Sequence, residues 1–232
     1  MPVFWLDDQS LEFPAPELAT PEGILAVGGD LSPARLLEAY AGGIFPWFNE
    51  GDPILWWSPD PRFVLFPDEL VVSKSMRPYF NQKKFQVSFD QDFEGVMRNC
   101  QQSNRNGQSG DTWITEDMIQ AYVQVHQLGY AHSVEVWQEG DLVGGLYGIS
   151  LGKIFFGESM FARVSNASKF GFITLVQKLR EKGFTLIDCQ QQTQHLGSLG
   201  AKPISRKSFL KYLQENKKLE TLTGSWTQVL AE

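Results

Sequence analysis

The chain has 232 residues, 42% of them hydrophobic and 20% charged, a composition typical of a globular protein with one large domain or one domain and a small companion. No apolar run approaches the ~18 residues of a membrane span, and no basic and apolar leader begins the sequence, so we expect neither a membrane segment nor export. The two cysteines, Cys100 and Cys189, cannot form a disulfide framework, which favours the reducing cytoplasm.

The net charge of −7 is unevenly distributed along the chain. Residues 1–60 contain ten acidic residues and one basic residue, Arg35, whereas residues 163–218 contain eleven basic and three acidic residues. An acidic front and a basic stretch near the end would suit two differently charged partners. Two solvated helix faces explain the same counts, so both interpretations stay open.

Prolines predict an N-terminal quarter of loops and short elements, because nine of the twelve fall in the first 61 residues. Within it, residues 33–40 are predicted to form a helix that begins after an N-cap at Ser32. We place a domain boundary near residue 62, which gives a small domain, 1–62, and a larger domain, 63–232.

The larger domain has a mixed α and β pattern. In chain order, the sequence predicts helices at 74–80 and 90–100, a polar loop at 101–111, a helix from a Thr115 cap to Leu128, strands at 132–137, 142–150 and 154–161, a helix at 166–182, a strand at 184–189 and a helix from Ser205 to about Lys218. The three consecutive strands are joined by segments of hairpin composition, which predicts antiparallel neighbours. The whole pattern indicates an α+β protein.

Two carboxylates interrupt apolar strands. Glu158 lies within the strand at 154–161, and Asp188 ends the strand at 184–189. A buried charge without compensation is costly, so each needs a partner or a task. Pairing of Glu158 with Arg163 and capping of a turn by Asp188 are structural alternatives. Carboxylates can also hold and deprotonate an amine or bind a cationic side chain.

Other reactive residue types give weaker signals. The three histidines lack metal-ligand spacing, and no serine lies in a Gly-x-Ser-x-Gly elbow. Asp188 disfavours a reactive thiolate at Cys189. The glycine-rich run 144–152 fits neither the dinucleotide fingerprint nor the P-loop, and we interpret it as the floor of a groove.

Four tryptophans lie in segments bordered by proline or glycine rather than in regular core patterns. Aromatic side chains in loops can stack on nucleobases. For Trp56 and Trp57 we expect packing of the small domain on the large one instead. For Trp47 and Trp113 both interpretations stay open.

Several motifs in fixed order resemble those of bacterial leucyl/phenylalanyl-tRNA–protein transferases, over about residues 12 to 213. They include GILAVGGDLS at 23–32, GIFPWF at 43–48, WWSPDPR at 56–62, VGGLYG at 143–148, GESMF at 157–161 and LIDCQ at 186–190. The resemblance implies a small N-terminal α/β domain and a larger GNAT-like domain with a central, mostly antiparallel sheet flanked by helices.

The resemblance also implies an activity. Enzymes of this family take Leu or Phe from Leu-tRNA or Phe-tRNA and join it to acceptor proteins with an N-terminal Arg or Lys, which creates a degradation signal of the N-end pathway. Such an enzyme works in the cytoplasm without cofactor, metal or membrane. The basic stretch 163–218 becomes a candidate site for the tRNA backbone.

Particular residues take roles by the same resemblance. Asp188 and Gln190 match the family's catalytic pair, and Glu158 would bind the acceptor's amine or basic side chain. The aromatic residues that hold the terminal adenine match Trp47 and Trp113. Residues matching the pocket for the Leu or Phe side chain are Leu146, Phe155 and Met160.

Two other functions compete with this hypothesis. A GNAT-type acyl-CoA transferase should have a pyrophosphate-binding glycine loop that opens a helix, and none precedes residue 166. An RNA-binding module without enzymatic activity explains the aromatic and basic residues, but leaves Glu158, Asp188 and Gln190 without a purpose.

Overall fold

The computed structural model describes residues 3–7, 9–103 and 113–230. Its strands are β1 (Phe4–Leu6), β2 (Ile24–Gly28), β3 (Phe45–Pro46), β4 (Leu55–Trp57), β5 (Arg62–Leu65), β6 (Gln86–Phe89), β7 (Ala131–Gln138), β8 (Asp141–Leu151), β9 (Ile154–Ala162), β10 (Leu186–Asp188) and β11 (Lys202–Ile204). Its helices are α1 (Pro33–Ala41), α2 (Arg77–Asn81), α3 (Phe93–Gln102), α4 (Glu116–Gln127), α5 (Ala167–Glu181), α6 (Gln194–Gly197), α7 (Arg206–Asn216) and α8 (Trp226–Val229). Short 3-10 helices lie at Pro16–Leu18, Pro67–Glu69 and Lys74–Met76.

The N-terminal part contains a four-stranded sheet in the order β1-β2-β4-β3, with α1 between the second and third strands in sequence. The strands are short because prolines and tight turns interrupt them. The start of α1 is as predicted, since the Ser32 side chain accepts a hydrogen bond from the Arg35 backbone N–H and Pro33 takes the first position.

A second sheet has seven strands in the order β11-β5-β10-β9-β8-β7-β6. Its neighbouring strands are antiparallel except for β9 and β10, which run parallel. Helices cover both faces. The predicted α+β class, with a mostly antiparallel sheet flanked by helices, is therefore confirmed.

Two clusters of buried apolar side chains lie on opposite faces of this larger sheet. One joins it to α1, α3, α4, α7 and the N-terminal sheet, with Tyr40, Tyr122 and Phe209 among its members. The other joins it to α5 and the C-terminal α8, with Phe172 and Trp226 among its members. The N-terminal part thus shares a continuous core with one face of the large sheet.

A β-bulge in β9 lies at Glu158. Tyr147 of β8 pairs with Ser159 and Gly148 pairs with Gly157, which leaves Glu158 as an additional residue. The bulge reverses the alternation of the strand, so a side chain there points where the regular pleat would not direct it. The sequence pattern alone does not reveal this irregularity.

Other differences from the predicted elements have local causes. Helix α3 begins at Phe93 rather than near 90, because the Asp92 side chain accepts from the Gly95 N–H and caps it. It runs to Gln102, so the loop predicted from 101 begins later, and its part at 104–111 lies outside the described residues. Among the described residues, no helix is both long and apolar enough to cross a membrane.

The interpretation of the glycine run 144–152 as a groove floor is wrong for Gly144 and Gly148, although Leu146 and Tyr147 of the same run line a cavity. A Cβ on Gly144 would lie 2.7 Å from the Ala167 side chain, and one on Gly148 would lie 2.1 Å from the Phe156 carbonyl oxygen. These glycines permit close packing of α5 and of the neighbouring strand on β8.

Candidate functional site

A cavity of about 580 Å³ opens where β9 and β10 part, beyond their last pair, Phe156 with Asp188. Side chains from both faces of the sheet line it. All eight site residues predicted from the sequence are among them: Trp47, Trp113, Leu146, Phe155, Glu158, Met160, Asp188 and Gln190. The fold thus brings together residues that are up to 143 positions apart in the chain.

Glu158 is held at the polar end of the cavity by three donors. Its Oε1 accepts hydrogen bonds from the Tyr40 hydroxyl at 2.7 Å and from Gln190 Nε2 at 2.6 Å, and its Oε2 accepts one from the Tyr122 hydroxyl at 3.2 Å. The two tyrosine hydroxyls also lie within hydrogen-bond distance of each other, but each has a single hydrogen, so neither can donate to the other while both donate to Glu158. The alternative partner, Arg163, forms no ion pair with Glu158 among the described contacts.

The pKa of the Glu158 carboxyl group is raised toward neutral pH. Burial raises its pKa to about 7, and Asp188 adds to the rise, although the hydrogen bonds from Tyr40, Tyr122 and Gln190 lower it. Burial, followed by the charge of Glu158, also raises the pKa of both tyrosines well above the ordinary value. A carboxyl group with this pKa can take up and release a proton near neutral pH.

Asp188 has a different environment, because its carboxylate is fully engaged. Arg62 donates to it from Nε at 2.8 Å and from Nη2 at 2.6 Å, in a buried bidentate ion pair. Asp188 Oδ1 also accepts the Gln190 backbone N–H at 2.9 Å. The capping role proposed as an alternative for Asp188 is therefore present, together with an ion pair that the sequence did not suggest.

That cap supports an unusual backbone conformation. Gln190 has a φ of 59°, in the left-handed region that non-glycine residues rarely adopt. This turn directs the Gln190 side chain to Glu158, across the gap between β10 and β9.

The other end of the cavity is apolar. Leu146 from β8 and Phe155 from β9 are buried, and Met160 lies beyond the bulge on the same side of the sheet. Phe172 from α5 and Ile187 from β10 complete this wall, although sequence reasoning gave them no role. A pocket lined in this way fits an apolar side chain of moderate size.

Two tryptophans lie along the cavity. Trp47 is 38% exposed and packs on Trp57, with ring centroids 5.3 Å apart, while Trp113 lines the cavity from the segment before α4. Trp56 packs on Phe13 and donates its indole N–H to a carbonyl of β2. These contacts lie within the N-terminal part, but Trp56 also belongs to the buried cluster that the N-terminal part shares with the larger sheet, and Trp57 packs against that cluster, in agreement with the packing role expected for both.

Cys189 also borders the cavity, but its chemistry disfavours attack. Burial and the neighbouring Asp188 raise the pKa of the thiol far above its ordinary value. This agrees with the low reactivity inferred from the sequence.

The basic stretch 163–218 is only partly available for a ligand. Lys202 pairs with Glu69, Lys218 pairs with Glu215, and Arg206 donates to the Ser58 carbonyl. Lys169 follows Ser168, which lines the cavity. Burial, and secondly the charge of Lys169, lowers the pKa of His195 on the cavity wall.

The family models and the curated relatives that match this chain agree on one family. The protein-family model described as leucyl/phenylalanyl-tRNA protein transferase matches residues 64–214, and the family model of the N-terminal domain of these proteins matches residues 29–60. A Pseudomonas fluorescens (strain Pf0-1) protein named leucyl/phenylalanyl-tRNA–protein transferase is 60% identical over 211 residues, 90% of this chain and 92% of the relative. A Myxococcus xanthus protein with the same name is 53% identical over 229 residues, 98% of this chain and 97% of the relative.

A solved structure of a GCN5-related N-acetyltransferase from Kribbella flavida aligns with 78% of this chain, at a TM-score of 0.35 and 11% identity. This chain spans 63% of that protein. The family models and the relatives, by contrast, cover most of the sequence. The chain belongs to the leucyl/phenylalanyl-tRNA–protein transferase family.

Proposed function

We propose that this protein transfers Leu or Phe from charged tRNA to the N-terminal Arg or Lys of acceptor proteins, which marks them for degradation. The observation that carries the proposal is a single cavity with an apolar end for the donor's side chain and a carboxyl group of neutral pKa at the other end. Membership of the family supports the same reaction. We extend the proposal to a cytoplasmic location, where charged tRNA is present.

The donor would enter with its amino-acid side chain against Leu146, Phe155 and Met160. Trp47 and Trp113 would hold the terminal adenine, since base stacking on aromatic rings contributes about 1–3 kcal/mol per base. Lys169, beside the cavity, suits the phosphates of the acceptor end. In this arrangement the reactive ester lies between the apolar wall and Glu158.

The acceptor would approach from the polar end. Its α-amine has an ordinary pKa of about 7.7–8.0 and is mostly protonated at neutral pH, so it must lose a proton before it attacks. Glu158 can accept that proton, because its own pKa is about 7. The carboxylate also suits the cationic side chain of Arg or Lys.

The transfer step then balances. The amine nitrogen forms a bond to the ester carbonyl carbon, and the bond from that carbon to the ribose oxygen breaks. The protonated amine loses two protons in all: Glu158 accepts the first before the attack and releases it to solvent, and the second passes through Glu158 to the ribose oxygen, so Glu158 ends unchanged and one proton is released. The side-chain amide of Gln190, bonded to Glu158, would orient the amine.

The test is a transfer assay with the purified protein, radiolabelled Phe-tRNA or Leu-tRNA, and a peptide that begins with Lys or Arg. We expect label in the peptide and none in a matched peptide whose N-terminus is acetylated. Intact charged tRNA with no labelled peptide would contradict the proposal. Transfer to a peptide that begins with Ala at the same rate would contradict the acceptor specificity.

A further inference from the structure

We infer that Arg62 is a positioning residue of the transfer site, which acts through the Asp188 carboxylate to hold Gln190 and Glu158 in place. On this inference the Arg62–Asp188 ion pair has a structural role in the site, and Asp188 does not take up the acceptor's proton. The inference rests on the proposed function for its consequence in catalysis, but its electrostatic part concerns the protein alone.

The surroundings of Arg62 support a fixed role. Its guanidinium lies over the rings of both Phe45 and Phe209, with its central carbon 4.7 Å from each centroid. Its Nη1 donates to the Gly43 carbonyl at 3.3 Å. One side chain therefore joins the N-terminal part, α7 and β10, and it is fully buried. Only arginine offers a planar group that can stack on both faces and donate along its edge.

The effect of Arg62 passes through a short chain of contacts. Both Asp188 oxygens accept from Arg62, and Oδ1 also accepts the Gln190 backbone N–H, so the carboxylate has little capacity left to act as a base. Gln190, held in its left-handed turn, then donates to Glu158. Loss of Arg62 should loosen this turn and leave a buried carboxylate without its counter-charge.

The negative charge of Asp188 also acts on Glu158 directly. It disfavours the ionised form of Glu158. A cation paired with Asp188, as Arg62 is, should by its charge reduce that effect. The ionisable groups around Glu158 are Tyr40 from α1, Tyr122 from α4, Tyr147 from β8, Asp188 and Cys189 from the end of β10, and His195 on the cavity wall. Removal of Arg62 should therefore raise the pKa of Glu158 further.

The test compares Arg62→Met, Asp188→Asn and the double variant that combines them. In the double variant both charges are gone, and the amide oxygen at position 188 can still accept the Gln190 N–H. Replacement of a buried ion pair by a neutral pair is often tolerated, whereas removal of one partner is not. We expect Asp188→Asn to lower single-turnover transfer on the order of 100-fold and the double variant to stay within about tenfold of wild type.

A second readout does not depend on transfer. NMR titration of ¹³C-labelled glutamate carboxyl groups, with the Glu158 signal assigned through Glu158→Gln, should show an upward shift of about one pH unit in Arg62→Met and none in the double variant. Arg35→Met is the matched control, because Arg35 is equally buried and pairs with Asp30 away from the cavity. It should lower the melting temperature and leave the Glu158 titration unchanged.

Each result has a defined meaning. If Arg62→Met alone does not fold, recovery of folding and transfer in the double variant supports the inference. A double variant that is unfolded, or folded and as inactive as Asp188→Asn, overturns it, because the charge of Asp188 would then be required. A wild-type protein that transfers nothing overturns the proposed function and the catalytic part of this inference together, whereas an unshifted Glu158 titration in folded Arg62→Met overturns the inference alone.

Discussion

The side-chain amide of Gln190 donates a 2.6 Å hydrogen bond to Oε1 of Glu158. This bond joins the end of β10 to the bulge of β9, at the point where these two strands, the only parallel neighbours among the described strands of the seven-stranded sheet, separate. Two residues that lie 32 positions apart in sequence thus share one polar centre, which faces the apolar part of the same cavity.

Replacement of Glu158 by Gln should slow transfer by about 10²–10⁴-fold, because it removes a general base. In the wild type, the ionised form accumulates as pH rises through about 7, and single-turnover transfer should rise with it. In Glu158→Gln, the remaining pH dependence should follow the acceptor amine, with a midpoint near its ordinary pKa of about 7.7–8.0.

Both effects are measured by single-turnover rates with saturating Phe-tRNA, recorded from about pH 5.5 to about pH 8.5. Glu139→Gln, in the exposed turn between β7 and β8, is the control and should behave like the wild type. If Glu158→Gln keeps the wild-type rate and midpoint, a group other than Glu158 accepts the proton of the acceptor amine.

The same substitution should stabilise the protein at alkaline pH. The folded-state pKa of Glu158, about 7, lies above its ordinary value of 4.5, so the folded state binds the proton more tightly than the unfolded state. The contribution of Glu158 to the free energy of unfolding should therefore be fully present below pH 4.5. It should be lost as pH rises through 7, which lowers the free energy of unfolding by at most roughly 3 kcal/mol.

Glu158→Gln cannot ionise and escapes this loss. Relative to wild type, its melting temperature should be higher by roughly 5 °C at pH 8 and little changed near pH 5. Thermal unfolding monitored by circular dichroism measures the difference at both values. A variant that is less stable than wild type at pH 8 would show that the ionised carboxylate is well accommodated.

Trp113→Ala and Trp47→Ala should each raise the KM for charged tRNA by about 5- to 100-fold, because each removes a surface on which the terminal base can stack. The Trp47 backbone carbonyl, which accepts from the Trp57 indole, is retained in the variant. Trp5, 79% exposed on β1, provides the control through Trp5→Ala. An unchanged KM in either cavity variant removes that tryptophan from the donor site.

Leu146→Met should alter the preference between Phe-tRNA and Leu-tRNA by less than about tenfold, with both donors still used. Methionine fills space flexibly, and discrimination between apolar side chains is limited to roughly 1–3 kcal/mol per methylene. The ratio of kcat/KM values for the two donors measures the effect. Leu142→Met, on the same strand but outside the cavity lining, should leave the ratio unchanged; an equal change in both variants would contradict a pocket role for Leu146.

Sequence patterns predicted the longer elements well, because Thr115 caps α4, Gly183 follows the end of α5, and the strands β7 to β9 are apolar runs separated by turn residues. They predicted none of the short strands in the N-terminal sheet. Segments such as β3, with two residues, are defined by their neighbours rather than by their own sequence.

The candidate site divides in a similar way. Glu158, Asp188, Trp47 and Trp113 were selected from the sequence itself, whereas the other four residues, and the roles of all eight, came from the resemblance. All eight meet in one cavity. The partners of those residues were not predicted, since Tyr40 lies 118 positions from Glu158 and Arg62 lies 126 positions from Asp188. Contacts at such separations arise from tertiary packing, and neither motif spacing nor periodicity contains them. The bulge at Glu158 is likewise a property of two paired strands.

The most direct test of the proposed reaction is the mass spectrum of a Lys-initiated peptide after incubation with the protein and Phe-tRNA. Fragmentation locates the added group. We predict the addition of one phenylalanyl residue, on the α-amine and not on the lysine side chain, and its loss when Glu158→Gln replaces the wild type over the same short interval. An unmodified peptide in the presence of intact Phe-tRNA, or modification at the side-chain amine, would contradict the proposed function.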